Sequence, residues 1–302
     1  MTQTKAGFIA LVGAPNAGKS TLMNQILGTK ISIVSRKAQT TRCRIAGIYT
    51  DDTHQIVFID TPGLFRPKKH FEKAMVASIW SGIDDADLVL ILYDVTRKGI
   101  DDETRNIIND LKSNNKKAFL VLNKIDLIKK EKLLEMAQTF SQLGDFEHIF
   151  MVSALNNSGV DDITKTLTQN LPVCEWFYPE DQLTTIPGKL FAAEITREKI
   201  FNNIHDEIPY SLTVETDSYE DFKDGSLKID QTIYIQRQAH KKIIIGKGGS
   251  TIKKIGETSR KELESILERK IHLKLFVKTQ ENWQKDQEHY QNLGLDYKLP
   301  EN

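Results

Sequence analysis

Gly7-Phe-Ile-Ala-Leu-Val-Gly13-Ala-Pro-Asn-Ala-Gly18-Lys19-Ser20-Thr21 decides the fold. Five apolar residues, 8–12, run straight into G-x-x-x-x-G-K-[ST] at 13–20, and an amphipathic stretch follows at 21–27. A buried strand, a Gly-rich turn and a helix start, in that order, make a phosphate cradle. Gly13 and Gly18 let the backbone curl so that successive N–H groups point inward at phosphate oxygens. The helix behind them adds its positive N-terminus to the same anion. Lys19 is placed to reach the terminal phosphates and Ser20 to ligate Mg2+, with Ala17, Gly18 and Thr21 as further loop contacts. Lys5 and the apolar run after it resemble a short signal peptide, but Lys19 arrives too soon and no small-residue cleavage site follows. A first β-strand is expected instead.

Outward from this stretch, apolar runs recur at residues 45–49, 55–59, 88–94, 118–122 and 149–152, with helical spacing at 103–111, 132–140 and 160–171. Near-continuous apolar strands separated by helices predict a P-loop NTPase domain over 1–171. Its doubly wound, mostly parallel sheet would bind ligands at the carboxyl ends of the strands. The remaining motifs sit at those ends. Asp60-Thr-Pro-Gly63 follows the run at 55–59, about 40 residues after Lys19. There Asp60 suits Mg2+, directly or through water, and the Gly63 N–H suits a γ-phosphate. Asn123-Lys-Ile-Asp126 follows 118–122 and sets the choice of base. The Asp126 carboxylate can accept from the N1–H and the 2-amino group of guanine. Adenine offers neither donor and would leave that carboxylate unpaired. Asn123 can tether the loop or the purine edge, and the Lys124 stem can lie over the ring. Ser153-Ala154-Leu155 follows 149–152, where the Ala154 N–H can meet the 6-oxo group. The expected ligands are therefore GTP or GDP with Mg2+.

Residues 30–44 are polar and poorly periodic, as a mobile loop between the first helix and second strand would be. Thr40 and Thr41 lie in it, and a threonine hydroxyl from such a loop can complete a Mg2+ shell when γ-phosphate is present; spacing does not choose between the two. Leu64 follows Gly63, where a glutamine would orient an attacking water. A leucine cannot hold water, so slow intrinsic turnover is expected. Lys68, Lys69 and His70 read as exposed loop residues.

At 302 residues the chain is long enough for two domains. Its 39% apolar and 27% charged residues are ordinary globular proportions, which exclude wholesale disorder. Lys+Arg and Asp+Glu both total 41, so any affinity for a polyanion must come from local clustering. Two cysteines, Cys43 and Cys174, build neither a disulfide framework nor a Cys-rich zinc site and suit a reducing compartment. No apolar run nears the roughly 18 residues of a membrane helix, and a soluble intracellular protein is expected. Pro172, Pro179 and Pro187, interleaved with Trp176, Phe177 and Tyr178, suggest a packed linker at 172–188. Residues 189–302 then read α-β-β-α-α-β, a smaller α+β domain, with a helix at 191–207, strands at 210–216, 232–238 and 271–278, and a capping helix at 281–293. Residues 237–278 hold 12 Lys/Arg against 4 Asp/Glu, whereas 180–236 hold 12 acidic against 5 basic residues. The basic surplus surrounds Gly246-Lys247-Gly248-Gly249. This G-x-x-G turn resembles that of a type II KH domain, which clamps about four nucleotides of a single strand. Lys247, Lys253, Lys254, Arg260 and Lys261 supply the positive field, and Ile252, Ile255, Leu263, Ile266 and Leu267 the core face.

With Gln39-Thr-Thr-Arg42, Asp60-Thr-Pro-Gly-Leu64 and Asn123-Lys-Ile-Asp126 joined to Gly246-Lys-Gly-Gly249 and ending in Leu293-Gly-Leu-Asp-Tyr297, the sequence resembles the Era family over nearly its whole length. That family combines a TrmE-Era-EngA-type GTPase domain with a type II KH domain. The resemblance implies GTP hydrolysis with Lys19, Thr41 and Gly63 at the reacting phosphate and Thr41 rather than Thr40 on Mg2+. It also implies K+ at Asn16, as in potassium-activated relatives. It further implies binding near the 3′ end of 16S ribosomal RNA, a role in assembly and maturation of the small ribosomal subunit, a monomeric state and a cytoplasmic location with peripheral contact to the inner membrane. Two rivals make different predictions. An RNA-binding module with a vestigial nucleotide site would be indifferent to loss of Lys19. A membrane-associated signalling GTPase whose second domain binds protein would be indifferent to Lys247 and Gly249; no lipidation motif supports it.

Overall fold

The structure, a computed structural model, describes residues 3–37, 39–204 and 208–298. Contacts divide it into two compact units, Met1–Ser32 with Ala38–Thr185 and Ile33–Lys37 with Ile186–Pro300.

The first unit runs β1 (Lys5–Val12), α1 (Lys19–Leu27), β2 (Ile45–Thr50), β3 (His54–Asp60), α2 (His70–Asp84), β4 (Leu88–Asp94), α3 (Asp102–Ser113), β5 (Ala118–Asn123), α4 (Lys130–Leu143), β6 (Ile149–Val152) and α5 (Val160–Asn170). The sheet order is β2-β3-β1-β4-β5-β6, with only β2 antiparallel to its neighbour. All residues of β4 and β5 are buried, as strands covered by helices on both faces require. From β1 the chain turns first to β3 on one side and later to β4 on the other. The crevice at this reversal opens above the carboxyl end of β1, where a doubly wound sheet binds its ligand. Residues 172–185 pack along this unit. Val173 bridges to Lys5 and Thr184 to Gly47 of β2, and the Gln55 side chain holds Phe177 and Tyr178 backbone groups at 2.9–3.0 Å. The otherwise open edge of β2 is thereby partly covered.

The second unit contains α6 (Gly188–Asn203), β7 (Leu212–Asp221), β8 (Leu227–Ile235), α7 (Gln238–Ile245), α8 (Ser250–Leu267), β9 (Ile271–Thr279) and α9 (Gln287–Asn292). In the order β7-β8-β9, β7 and β8 are antiparallel, and β8 and β9 parallel. Alternate residues of β8, from Leu227 to Ile235, face a core shared with α6, Ile244 of α7, and Ile255 and Leu263 of α8. Five residues from the loop between α1 and β2 belong here too. Ile33 is buried among Phe191, Ala192, Ile195 and Leu227, and the Val34 N–H donates to Glu198 Oε1 at 3.0 Å.

Several boundaries differ from expectation. The helix expected at 191–207 starts at Gly188 and ends at Asn203, while 205–207 lie outside the described residues. The strand expected at 232–238 begins five residues earlier, and Gln238 already opens α7. The expected capping helix is a short 3-10 turn at Trp283–Lys285 and then α9, because the Asp286 side chain caps a new start on the Glu288 N–H.

Candidate functional site

The phosphate loop has the conformation its glycines permit. Gly13 and Gly18 take φ of 153° and 101°. A Cβ on Gly13 would stand 2.2 Å from the Leu92 carbonyl oxygen, and one on Gly18 would stand 2.1 Å from Asn123 Nδ2. Asn16, at the exposed tip, is left-handed with φ 64°. Lys19 is buried, its Nζ donating to the Gly13 and Ala14 carbonyls at 3.0 and 3.2 Å. Burial lowers its pKa to about 8 against the pull of Asp60. An arriving phosphate would supply the negative charge this ammonium lacks.

Beside Lys19 lies an oxygen-rich cluster. Asp60, at the carboxyl end of β3, is fully buried, and burial pushes its carboxyl upward against the opposing influence of Lys19 and three hydroxyls. Its Oδ2 accepts from Ser20 Oγ and Ser32 Oγ, both at 2.6 Å, and from Thr41 Oγ1 at 3.4 Å; Thr41 Oγ1 and Ser20 Oγ are 3.1 Å apart. Asp60 Oδ1 is buried with no hydrogen-bond partner among the described residues. A carboxylate with an unused oxygen, ringed by hydroxyls and by no sulfur or imidazole, is a hard donor set that fits Mg2+. Ser20, Thr41 and Asp60 are the expected residues. Ser32 is an addition to them: it lies outside every recognisable motif, and the Asn24 side chain pins the Ile31 and Ser32 backbone to α1, which holds it beside Asp60.

Gly63 abuts the loop, since a Cβ there would stand 2.7 Å from Pro15 N and Cα. The next N–H, on Leu64, donates to the Gly13 carbonyl at 2.9 Å, while the Leu64 side chain packs on the core. No side chain at this position reaches out to hold a water.

Asn123 ties the phosphate end to the base end. Its Nδ2 donates to the Ala17 carbonyl at 2.8 Å, and its Oδ1 accepts from the Lys124 and Ala154 N–H groups at 2.8 and 3.0 Å. Lys124, left-handed at φ 71°, extends to Asp94, which also accepts from Thr96. The Asp126 side chain is exposed to solvent. Ser153 is buried, Ala154 is buried and Leu155 is exposed. The Ala154 N–H therefore already has the Asn123 oxygen as its partner, and contact with a 6-oxo group is not preformed.

In the second unit Gly246, Gly248 and Gly249 adopt φ of 75°, 59° and 80° in the turn between α7 and α8. A Cβ on Gly246 would stand 2.2 Å from Thr251 Oγ1, so only glycine allows this approach. Lys247, Lys253 and Lys254 are exposed without ion pairs among the described residues, whereas Arg260 and Lys261 are tied to Glu264 and Glu257. Unpaired positive charge thus lies at the turn and in the first two turns of α8.

A family model described as a 50S ribosome-binding GTPase matches residues 8–124, and one described as a KH domain matches 207–284. GTPase Era of Brucella suis biovar 1 is 49% identical over 296 residues, covering 98% of this chain and 95% of the relative. The chain belongs to the Era GTPase family. GTPase Era of Bradyrhizobium diazoefficiens is likewise 49% identical, with 97% and 95% coverage. A crystal structure of Era with MgGDPNP and nucleotides 1506–1542 of 16S ribosomal RNA superposes with a TM-score of 0.91 at 38% identity, over 98% of this chain and all of that one. A point variant of Aquifex aeolicus Era bound to GDP·AlF4− gives 0.91 at 37% identity with the same coverage. As an Era GTPase the chain binds and hydrolyses GTP, and its fold is the P-loop GTPase domain followed by a KH domain. Among the described residues no helix is long and apolar enough to cross a membrane.

Proposed function

We propose that this GTPase holds GTP across the cradle formed by Gly13–Thr21, Asp60, Gly63, Asn123–Asp126 and Ser153–Leu155, and in that state clamps the 3′ region of 16S ribosomal RNA during small-subunit assembly. Asn123 carries the nucleotide half of this account, because one buried amide joins the loop for the phosphates to both loops for the base. Asp126, facing solvent, accepts from guanine N1–H and the 2-amino group. Lys19 and the loop N–H groups neutralise the phosphates, and the Gly63 N–H meets the γ-phosphate. Ser20, Thr41 and Asp60 would hold Mg2+, which would offset negative charge developing on the phosphates. With Leu64 unable to orient water, intrinsic turnover is slow. Asn16 would hold K+, which would supply positive charge near the reacting phosphates. Hydrolysis is accordingly expected to be faster in K+ than in Na+ at equal ionic strength, and equal rates would remove K+ from the account.

RNA binding draws on the Gly246–Gly249 turn with Lys247, Lys253 and Lys254, and on the RNA complex of the Era relative at 38% identity. The nucleotide state has a covalent path to this domain. Ser32 bonds Asp60, residues 33–37 belong to the second unit, and Thr41 returns to the Mg2+ ligands. With labelled RNA spanning nucleotides 1506–1542, the GDPNP-loaded protein should bind at least about fivefold more tightly than the GDP-loaded one. Equal affinity for the GDPNP-loaded, GDP-loaded and empty forms would refute the coupling. The monomeric state and the peripheral contact with the inner membrane rest on family resemblance, and cosedimentation with anionic vesicles tests the latter.

A further inference from the structure

The sheet of the KH unit has a second face, opposite α6, α7 and α8; α9 covers its β7–β8 end, where His289 pairs with Glu215 and lies 5.0 Å from the Tyr234 ring, and leaves the outer side of β9 exposed. Along β9 the alternation turns Ile271, Leu273, Leu275 and Val277 into the core, and exposes His272, Lys274, Phe276 and Lys278 on the other side. These four stand beside Lys228, Asp230, Thr232 and Tyr234 of β8. Phe276 is 55% exposed at the middle of the row. At one end Phe222, itself 44% exposed, lies 5.6 Å from the His272 ring; at the other, Lys278 Nζ sits 5.7 Å from the Tyr234 ring centroid. Lys228 is neutralised by Glu220 and Asp230, but Lys274 and Lys278 form no ion pair among the described residues. An isolated exposed phenylalanine needs no explanation. Here it is flanked on both sides by unpaired lysines, on an edge strand whose helix-facing side carries α7 and α8 and hence the clamp turn.

We propose that the outer face of β9 is a second platform for single-stranded RNA, with a base stacked on Phe276 and phosphates paired to Lys274 and Lys278; this rests on the RNA role proposed above. The free edge of β9 joins the two faces, so a strand leaving the clamp can fold over that edge onto the row. Alternate side chains on one strand face are about 6.6 Å apart, which sets the two cations on either side of one stacked base. An aromatic ring between cations is the recurring device for unpaired bases. A protein partner fits less well, because lysine is depleted from the cores of protein interfaces and Phe276 has Lys274, Lys278 and Thr232 as its neighbours on this face.

The test uses the full chain loaded with GDPNP and Mg2+, titrated with single-stranded RNAs of increasing length taken from the 1506–1542 segment. The shortest is about the four nucleotides of the clamp. Affinity should rise with length in the wild type. Phe276→Ala should lower affinity for the longer RNAs about tenfold, within the range measured for base–aromatic stacks, and leave the shortest unchanged. Phe276→Trp should retain the gain, and Lys274→Ala with Lys278→Ala should reduce the salt slope by about 1.4 for long RNA alone. Gly249→Asp should weaken every length, which marks the clamp itself. If Phe276→Ala bound all lengths as the wild type does, including a case where it instead lost self-association or a protein partner, the platform would be refuted while the clamp stood. If the wild type bound no length, the RNA role would fall as well.

Discussion

Gly18→Ala is expected to weaken GTP binding about 100-fold or more. At φ 101° an alanine carries left-handed strain of about 1–2 kcal/mol. The larger effect is steric. The new Cβ would lie 2.1 Å from Asn123 Nδ2, so the amide must move, and with it the bonds to Ala17, Lys124 and Ala154. Buried polar groups left without partners cost about 1–3 kcal/mol each. One methyl group beneath the phosphates should therefore also disturb the loops for the base. Calorimetry with GTP and Mg2+ measures the loss, and a dissociation constant within about threefold of the wild type would show that Asn123 does not couple the two ends.

The second large effect is on stability. In α6, Arg197 makes a two-pronged pair with Glu194, one bond at 2.7 Å, and both side chains are buried. The guanidinium also lies 5.1 Å from the Phe201 ring centroid. Such a pair adds little over an apolar filling, because desolvation of both ions offsets their attraction. Removing one partner is different. Arg197→Ala leaves a buried carboxylate without its counter-charge and should lower unfolding free energy by about 3–5 kcal/mol. Glu194→Leu combined with Arg197→Met should recover most of that loss. Urea unfolding of the three variants provides the comparison, and a loss below about 1 kcal/mol for Arg197→Ala would mean that water reaches Glu194.

What can be read from sequence follows from how local each signal is. Strands β4 and β6 are legible to the residue: β4 because a strand covered on both faces is written as an unbroken apolar run, and the half-buried edge strand β6 because its four residues are all apolar. The motif residues are legible because each lies within a few positions of a strand end. Helix α2 is not evident from its ends, although Phe71, Ala74, Met75, Ile79 and Ile83 repeat at helical spacing. Its start lacks a Ser, Thr, Asp or Asn cap; the Glu72 carboxylate reaches back to the Lys68 and Lys69 N–H groups instead. Strand β8 reads short because Gln231 falls at a core position. Its amide is held by Thr196 and Thr216, pairings that no local pattern announces. A bulge between Thr216 and Ser218 likewise breaks the alternation of β7. Ser32 has no signal at all: its partners Asn24 and Asp60 become neighbours only in the folded chain.

Titration calorimetry of GTP and of ATP into the nucleotide-free protein with Mg2+ decides whether curled backbone amides and Asp126 together grip a guanosine nucleotide. GTP should bind with one site per chain, and ATP at least about 1,000-fold more weakly, since adenine leaves the Asp126 carboxylate without donors. Comparable heats and affinities for the two nucleotides, or no heat with GTP from folded protein, would contradict it.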